Sequence, residues 1–160
     1  MIIVADASPL VALALCDCLE ILPALFGEVA VSQLVYQEVS VTGKPGVDRL
    51  RAFLQGKIHG VNLDNFIISG DVLDEGELTS IALYKHLQAD FLLIDEKAGR
   101  RVAKLNHIQI IGSLGVLIEA KKKGIIPTLK PHIETLRHAK IYFSDALLDF
   151  ALNAVGEQAR

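Results

Sequence analysis

The sequence predicts an α/β fold, a single three-layer domain with a mainly parallel central sheet flanked by helices. Three observations carry that expectation. Short apolar runs rich in β-branched residues recur between longer stretches of helical periodicity, the alternation that βαβ units produce. Two of these runs end on an acid that leads straight into helical sequence, and a third ends on Gly112-Ser113. At 160 residues, 51% apolar and 22% charged, the chain suits one core, and its scattered glycines and prolines exclude collagen-like, low-complexity and disordered classes.

The elements follow in order. Ile2-Ile3-Val4-Ala5 reads as the first strand. Ser8 is placed to cap a helix over residues 10–15, with Pro9 at its first position, where the missing N–H costs nothing. A second strand falls on Gly27-Glu28-Val29-Ala30-Val31, and Ser32 caps a helix carrying Leu34, Val35, Glu38 and Val39. Thr42-Gly43-Lys44-Pro45-Gly46 is a loop, residues 47–54 have helical spacing that stops at Gly56, and residues 58–68 hold one or two weak strands. Residues 70–76 form an acidic turn. A helix starts near Glu75, with Ile81, Ala82, Tyr84 and Leu87 at helical spacing and Asp74 and Glu77 at the spacing of a capping box. Residues 91–94 are uninterrupted apolar sequence, as expected of a strand buried on both faces; Asp95-Glu96 ends it and residues 97–105 resume helical spacing. Ile108-Gln109-Ile110-Ile111 repeats the pattern and leads to a helix over 114–123, which Gly124 terminates. Residues 131–160 read as two helices with a break near Phe143-Ser144. The whole chain, 1–160, is expected to be one domain, with residues from about 128 to 160 a helical C-terminal extension.

Charge and composition narrow the function classes. The net charge of −3 opposes binding to nucleic acid by overall positive charge. The halves differ, however: residues 1–80 hold 4 Lys+Arg against 11 Asp+Glu, and residues 81–160 hold 12 against 8. An acidic half and a basic half in one domain suit a site where carboxylates hold cations beside groups that attract an anionic substrate. The apolar stretch over residues 9–16 is far shorter than a membrane span, and the first residues lack a basic leader, so a cytoplasmic location is expected. Cys16 and Cys18 lack a second pair to complete a zinc site and are expected to be free thiols.

In open α/β sheets, sites form beyond the carboxyl ends of strands. Asp6 and Asp95 each follow an apolar strand directly, Glu96 lies beside Asp95, and Glu38 and Glu77 sit on helices. Four converging carboxylates stay ionised together only when compensated, and oxygen ligands without a neighbouring His or Cys favour Mg²⁺ or Mn²⁺. Each acid also has a structural reading: Asp6 and Asp95 as caps of the helices that follow, Glu77 as part of the capping box, Glu38 as a solvated helix residue. Lys97, Arg100 or Arg101, and Lys104 follow i, i+3, i+4 spacing and form a basic stripe suited to a phosphate backbone, whereas Lys121-Lys122-Lys123 reads as a solvated helix end. A phosphate loop, a dinucleotide fingerprint and an H-E-x-x-H zinc motif are absent, and His59, His86, His107, His132 and His138 show no ligand spacing. A haloacid-dehalogenase-like phosphatase wants a second acid where Ser8 stands.

The stretches Ile3-Val4-Ala5-Asp6-Ala7-Ser8-Pro9-Leu10, Gln37-Glu38-Val39, Leu73-Asp74-Glu75-Gly76-Glu77-Leu78 and Leu92-Leu93-Ile94-Asp95-Glu96-Lys97-Ala98-Gly99-Arg100-Arg101-Val102-Ala103 together resemble a PIN domain. Within that family they are similar to a prokaryotic subgroup of unknown function, of DUF3368 type, related to the toxins of VapBC systems. The resemblance covers residues 2 to about 127, and the tail is similar to the same subgroup. It implies a metal-dependent nuclease, mostly of RNA. Asp6, Glu38, Glu77 and Asp95 are then the metal-site and catalytic acids, Ser8 is the small hydroxyl residue near the first of them, and Glu96 is an accessory acid. Two departures stand out. The third acid is commonly Asp in the toxins, and Glu77 lies beside Glu75 and Asp74, which leaves that ligand open; the fourth segment also lacks the toxins' Thr-x-Asp pattern. The expected chemistry is hydrolysis of single-stranded or structured RNA with Mg²⁺ or Mn²⁺. Lys97, Arg100, Arg101 and Lys104 are expected on the nucleic-acid backbone. A homodimer or an antitoxin-type protein partner fits the mean hydropathy of +0.40 and the apolar tail around residues 141–152. The alternative is a catalytically weak or silent PIN-like module that binds nucleic acid or oligomerises.

Overall fold

A computed structural model describes residues 1–65 and 73–158 of the chain. Among these residues, five strands form one parallel sheet: β1 (Ile2–Ala5), β2 (Glu28–Ser32), β3 (Ile58–His59), β4 (Phe91–Leu93) and β5 (Ile110–Ile111), in the spatial order β3-β2-β1-β4-β5. Ile3 pairs with Val29 on one side and Phe91 on the other, and Leu92 pairs with Ile110. The chain builds outward from β1 to β3, then returns past β1 to build β4 and β5. The order therefore reverses between β1 and β4, and the crevice beyond their carboxyl ends is where such a sheet places its ligand.

Alternation along the strands shows why both faces are covered. Ile3, Ala5, Val29, Val31 and Leu93 point into one core with Leu10, Leu13, Leu117 and Leu129, whereas Val4, Ala30, Leu92 and Ile94 point into a second with Ile81, Leu83, Val102 and Ile108. The first core is shared with helices α1 (Ala7–Leu15), α2 (Ile21–Phe26), α7 (Ser113–Lys122), α8 (Lys130–Ala139) and α9 (Asp145–Ala154); the second lies under α5 (Glu75–Leu87) and α6 (Lys97–Leu105). Helices α3 (Gln33–Val39) and α4 (Val47–Leu54) close the β2 and β3 side, with Val35, Val39, Leu50 and Leu54 buried. The three-layer α/β expectation holds.

Local differences have local causes. The first helix begins at Ala7, with Asp6 rather than Ser8 at the N-cap, because the chain leaves β1 directly into the turn; Pro9 is still inside the first turn, where no N–H is needed. Helix α2, six residues with Pro23 inside it, was not expected: its length is below what periodicity can resolve. Of the weak strands expected over 58–68, β3 keeps two residues and a 3₁₀ turn follows at Leu63–Asn65, while 66–68, like residues 70–72 of the acidic turn, lie outside the described residues. Strand β5 is shorter than the expected 108–111, although the Leu92 N–H bonds Gln109 O at 2.8 Å. Ser32 caps α3 through Val35 N–H at 3.1 Å, Asp74 caps α5, and Gly124 stands at φ 73° after α7, as expected. Cys16 and Cys18 are buried free thiols, with Cys18 Sγ 3.4 Å from His132 Nδ1. No helix among the described residues is long and apolar enough to cross a membrane.

Candidate active site

Asp6 leaves the end of β1 at the crevice and is 4% exposed. The Ser80 hydroxyl, one turn along α5 from Gly76, lies 3.2 Å from Asp6 Oδ1 and 3.0 Å from Gly76 O. Glu77 occupies the first turn of α5, where Asp74 Oδ1 accepts its backbone N–H at 2.8 Å; its side chain is buried, at 7% exposure. The capping reading of Asp74 is thus correct. It does not exclude a functional one, because the cap uses the Glu77 backbone N–H and not its carboxyl.

Two glycines let the acids approach. A Cβ on Gly76 would lie 3.1 Å from Glu38 Oε2 and 3.3 Å from Asp74 Oδ1, so two carboxylates from different elements converge on bare backbone. A Cβ on Gly99 would meet the Ile94 side chain and lie 3.6 Å from the Glu77 carboxyl carbon, which places Glu77 against α6. Glu38 itself is exposed at the end of α3, and the Lys44 ammonium donates to its backbone carbonyl at 3.2 Å.

The electrostatics identify the group more sharply than the distances. Burial, then the charges of Asp74 and Glu38, push the Asp6 carboxyl up to about 6 against partial relief from the Ala7 N–H and Ser80. Burial, then Asp74, Asp6 and Glu96, push Glu77 up to about 7. Glu38, though exposed, is raised by partial desolvation of its carboxyl and by the charges of Asp74 and Glu96, with Lys44 acting in the opposite direction. The charge of Asp74 thus acts on Asp6, Glu38 and Glu77 alike, and that of Glu96 on Glu38 and Glu77. Among the described residues, no three His, Cys, Asp or Glu side chains stand in the arrangement of a metal-ligand set. The donor chemistry, carboxylate oxygens under mutual repulsion, nevertheless suits a hard divalent cation.

Asp95 is placed differently. Its Oδ1 accepts the Ser113 backbone N–H at 2.8 Å, and its Oδ2 accepts the Ser113 hydroxyl at 2.8 Å and the Tyr142 hydroxyl. Ser8 lies in the first turn of α1, two residues after Asp6, and is half-buried. Lys97, Arg100, Arg101 and Lys104 line a surface cavity of about 450 Å³ on α6, and Arg100 also donates to Ile94 O at 3.1 Å. A neighbouring groove of about 520 Å³ runs from Asp95, Lys97 and Arg100 between α7 and α9 to Phe150.

Sequence reasoning missed Ser80, Ser113 and Tyr142. Ser80 was within reach of it, since i+3 from Glu77 is a helical neighbour position; nothing in the sequence relates Tyr142 to Asp95, 47 residues away.

No curated protein and no solved structure matches the chain. A family model described as DUF3368, PIN domain, matches residues 2–157, and PIN domains are a nuclease-type fold. That match spans the sheet, the acidic crevice and the C-terminal helices alike, and the chain belongs to the DUF3368 family of PIN domains.

Proposed function

We propose that the protein is a Mg²⁺- or Mn²⁺-dependent nuclease that hydrolyses phosphodiester bonds, acting on RNA in the manner of toxin–antitoxin ribonucleases. The observation that carries this reading is the buried Asp6 carboxyl at the switch point of the sheet, held among Glu38, Asp74 and Glu77. Buried carboxylates that repel one another are costly unless a cation compensates them, and they persist where that cation is used.

Asp6, Glu38 and Glu77 would hold the ion, with the fourth place filled from the Asp95-Glu96 corner. Such an ion supplies charge neutralisation and Lewis-acid polarisation of the phosphodiester. The chain's own residues do the rest. Ser80 orients Asp6, Asp74 fixes the first turn of α5 and with it Glu77, and Lys97, Arg100, Arg101 and Lys104 align the substrate's phosphates beside the crevice. Water is the nucleophile in this reading, so the products carry a 5′-phosphate and do not depend on the RNA 2′-hydroxyl.

An association role receives support from one further observation. Phe150 is 66% exposed beside Leu147 on α9, an apolar face suited to a second copy or to an antitoxin-type partner.

The test is cleavage of 5′-labelled RNA with Mn²⁺ by the wild type and by Asp6→Asn. We expect labelled products ending in a 3′-hydroxyl, the counterparts of 5′-phosphate downstream fragments, from the wild type and none from the folded variant. Products ending in a 2′,3′-cyclic phosphate, or equal cleavage by both proteins, would refute the reading, and binding without cleavage would favour the silent module.

A further inference from the structure

Asp95 stands at the end of β4, where the family pattern and the topology both lead one to expect a ligand, yet its carboxylate is already committed. Helix α7 begins at Ser113 behind Gly112, a residue with no side chain to cap it. Asp95 supplies that cap from another element: Oδ1 takes the Ser113 N–H and Oδ2 the Ser113 hydroxyl, both at 2.8 Å. The Tyr142 hydroxyl, from the segment between α8 and α9, donates to the same Oδ2. Three donors on one carboxylate join the end of β4, the start of α7 and the α8–α9 connection. Glu96, one residue on, is exposed at the N-cap of α6, makes no cap bond with its side chain, and stands one turn before Gly99, where an added Cβ would lie 3.6 Å from the Glu77 carboxyl carbon.

We propose that Asp95 is a positioning residue which, with Ser113 and Tyr142, staples the C-terminal helices to the β4–α6 corner, and that Glu96 is the acid this corner contributes to the cation site. The assignment of Glu96 rests on the metal-site reading above; the staple does not. Two adjacent acids thus stand in different settings: the Asp95 carboxylate is bonded to the start of α7, whereas the Glu96 side chain makes no cap bond at the start of α6.

The sign of the stability change separates the two roles. Removing a member of a repelling cluster stabilises the cation-free protein, whereas removing a helix cap destabilises it. We expect Asp95→Asn and Tyr142→Phe each to lower the melting temperature of the cation-free protein by about 2–8 °C, with the double variant little worse than Asp95→Asn alone. Glu96→Gln should leave that temperature unchanged or raised. In calorimetric titration with Mn²⁺, Glu96→Gln should weaken binding at least about tenfold, while Asp95→Asn and Tyr142→Phe stay within about threefold of the wild type.

Asp95→Asn that raises the melting temperature and weakens Mn²⁺ binding more than Glu96→Gln would overturn the proposal. Independent, additive effects of Asp95 and Tyr142 would overturn the staple. Should the wild type bind no Mn²⁺, the metal-site reading and the Glu96 assignment fall together, and the staple is still decided by the melting temperatures and their additivity.

Discussion

Asp6 shows how a single side chain links burial to pH. Its carboxyl lies near 6 in the folded protein against an ordinary value of 3.8, with burial the main cause. Between those values the folded state binds more protons than the unfolded chain, so stability falls as pH rises from about 4 to 6, and the full cost is present above that window. Glu77, raised from 4.5 to about 7, extends the decline toward neutrality. Asn at position 6 cannot ionise. We therefore expect cation-free Asp6→Asn to be more stable than the wild type at pH 8, on the order of 1–3 kcal/mol, with the difference vanishing near pH 4. Thermal melts across that range check it, and a variant less stable than the wild type at pH 8 would show that the Ser80 contact outweighs desolvation. The two cysteines give a second expectation at this scale. Burial and the neighbouring Cys18 push Cys16 up to about 12, and burial and Asp17 push Cys18 up to about 11. Both thiols stay protonated at pH 8 and should react with Ellman's reagent only after unfolding. Rapid reaction of the native protein would place them at an accessible surface.

At the scale of elements, helix α6 is where we propose that the substrate's phosphates are held. Its buried side is Gly99, Val102 and Ala103, and the other side presents Lys97, Arg101 and Lys104 in its first two turns. That division was legible in the sequence, because amphipathic periodicity survives without tertiary information; so did the Asp74 cap and the Ser32 cap, which are set within three residues. Element ends depending on partners far along the chain were not legible. Asp95 is the clearest case: its sequence position at a strand end was evident, but its direction is set by the uncapped start of α7. If the stripe holds a phosphate backbone, Lys97→Ala with Lys104→Ala in the Asp6→Asn background should weaken single-stranded RNA binding and flatten the salt dependence, by about 0.7 in log–log slope for each phosphate no longer neutralised. Fluorescence anisotropy at several salt concentrations measures this, and an unchanged slope would mark α6 as a solvated face.

For the whole molecule, the sequence made the α/β class plain because strand-to-helix punctuation repeats along it, whereas the β3-β2-β1-β4-β5 order came only from the structure. Pairing β4 with β1 across more than half of the chain is a global packing outcome, and no local signal encodes it. The same limit applies to the C-terminal helices. By sequence they read as a helical C-terminal extension, from about residue 128, of the one domain. In the structure Leu129, Ile133, Leu136, Leu148 and Leu152 are fully buried or nearly so, in the same core as Leu13 and Leu117. Five such side chains at roughly 1.5–3 kcal/mol each amount to about 10 kcal/mol, comparable to the total stability of about 5–15 kcal/mol expected of a domain. A chain ending at residue 128 would also leave Asp95 without Tyr142. We expect this truncated protein to lack a cooperative thermal transition and to aggregate, even though every acid of the crevice is retained. A folded truncated protein with a sharp transition would mean that α8 and α9 form an independent unit, and the crevice would then be complete without them.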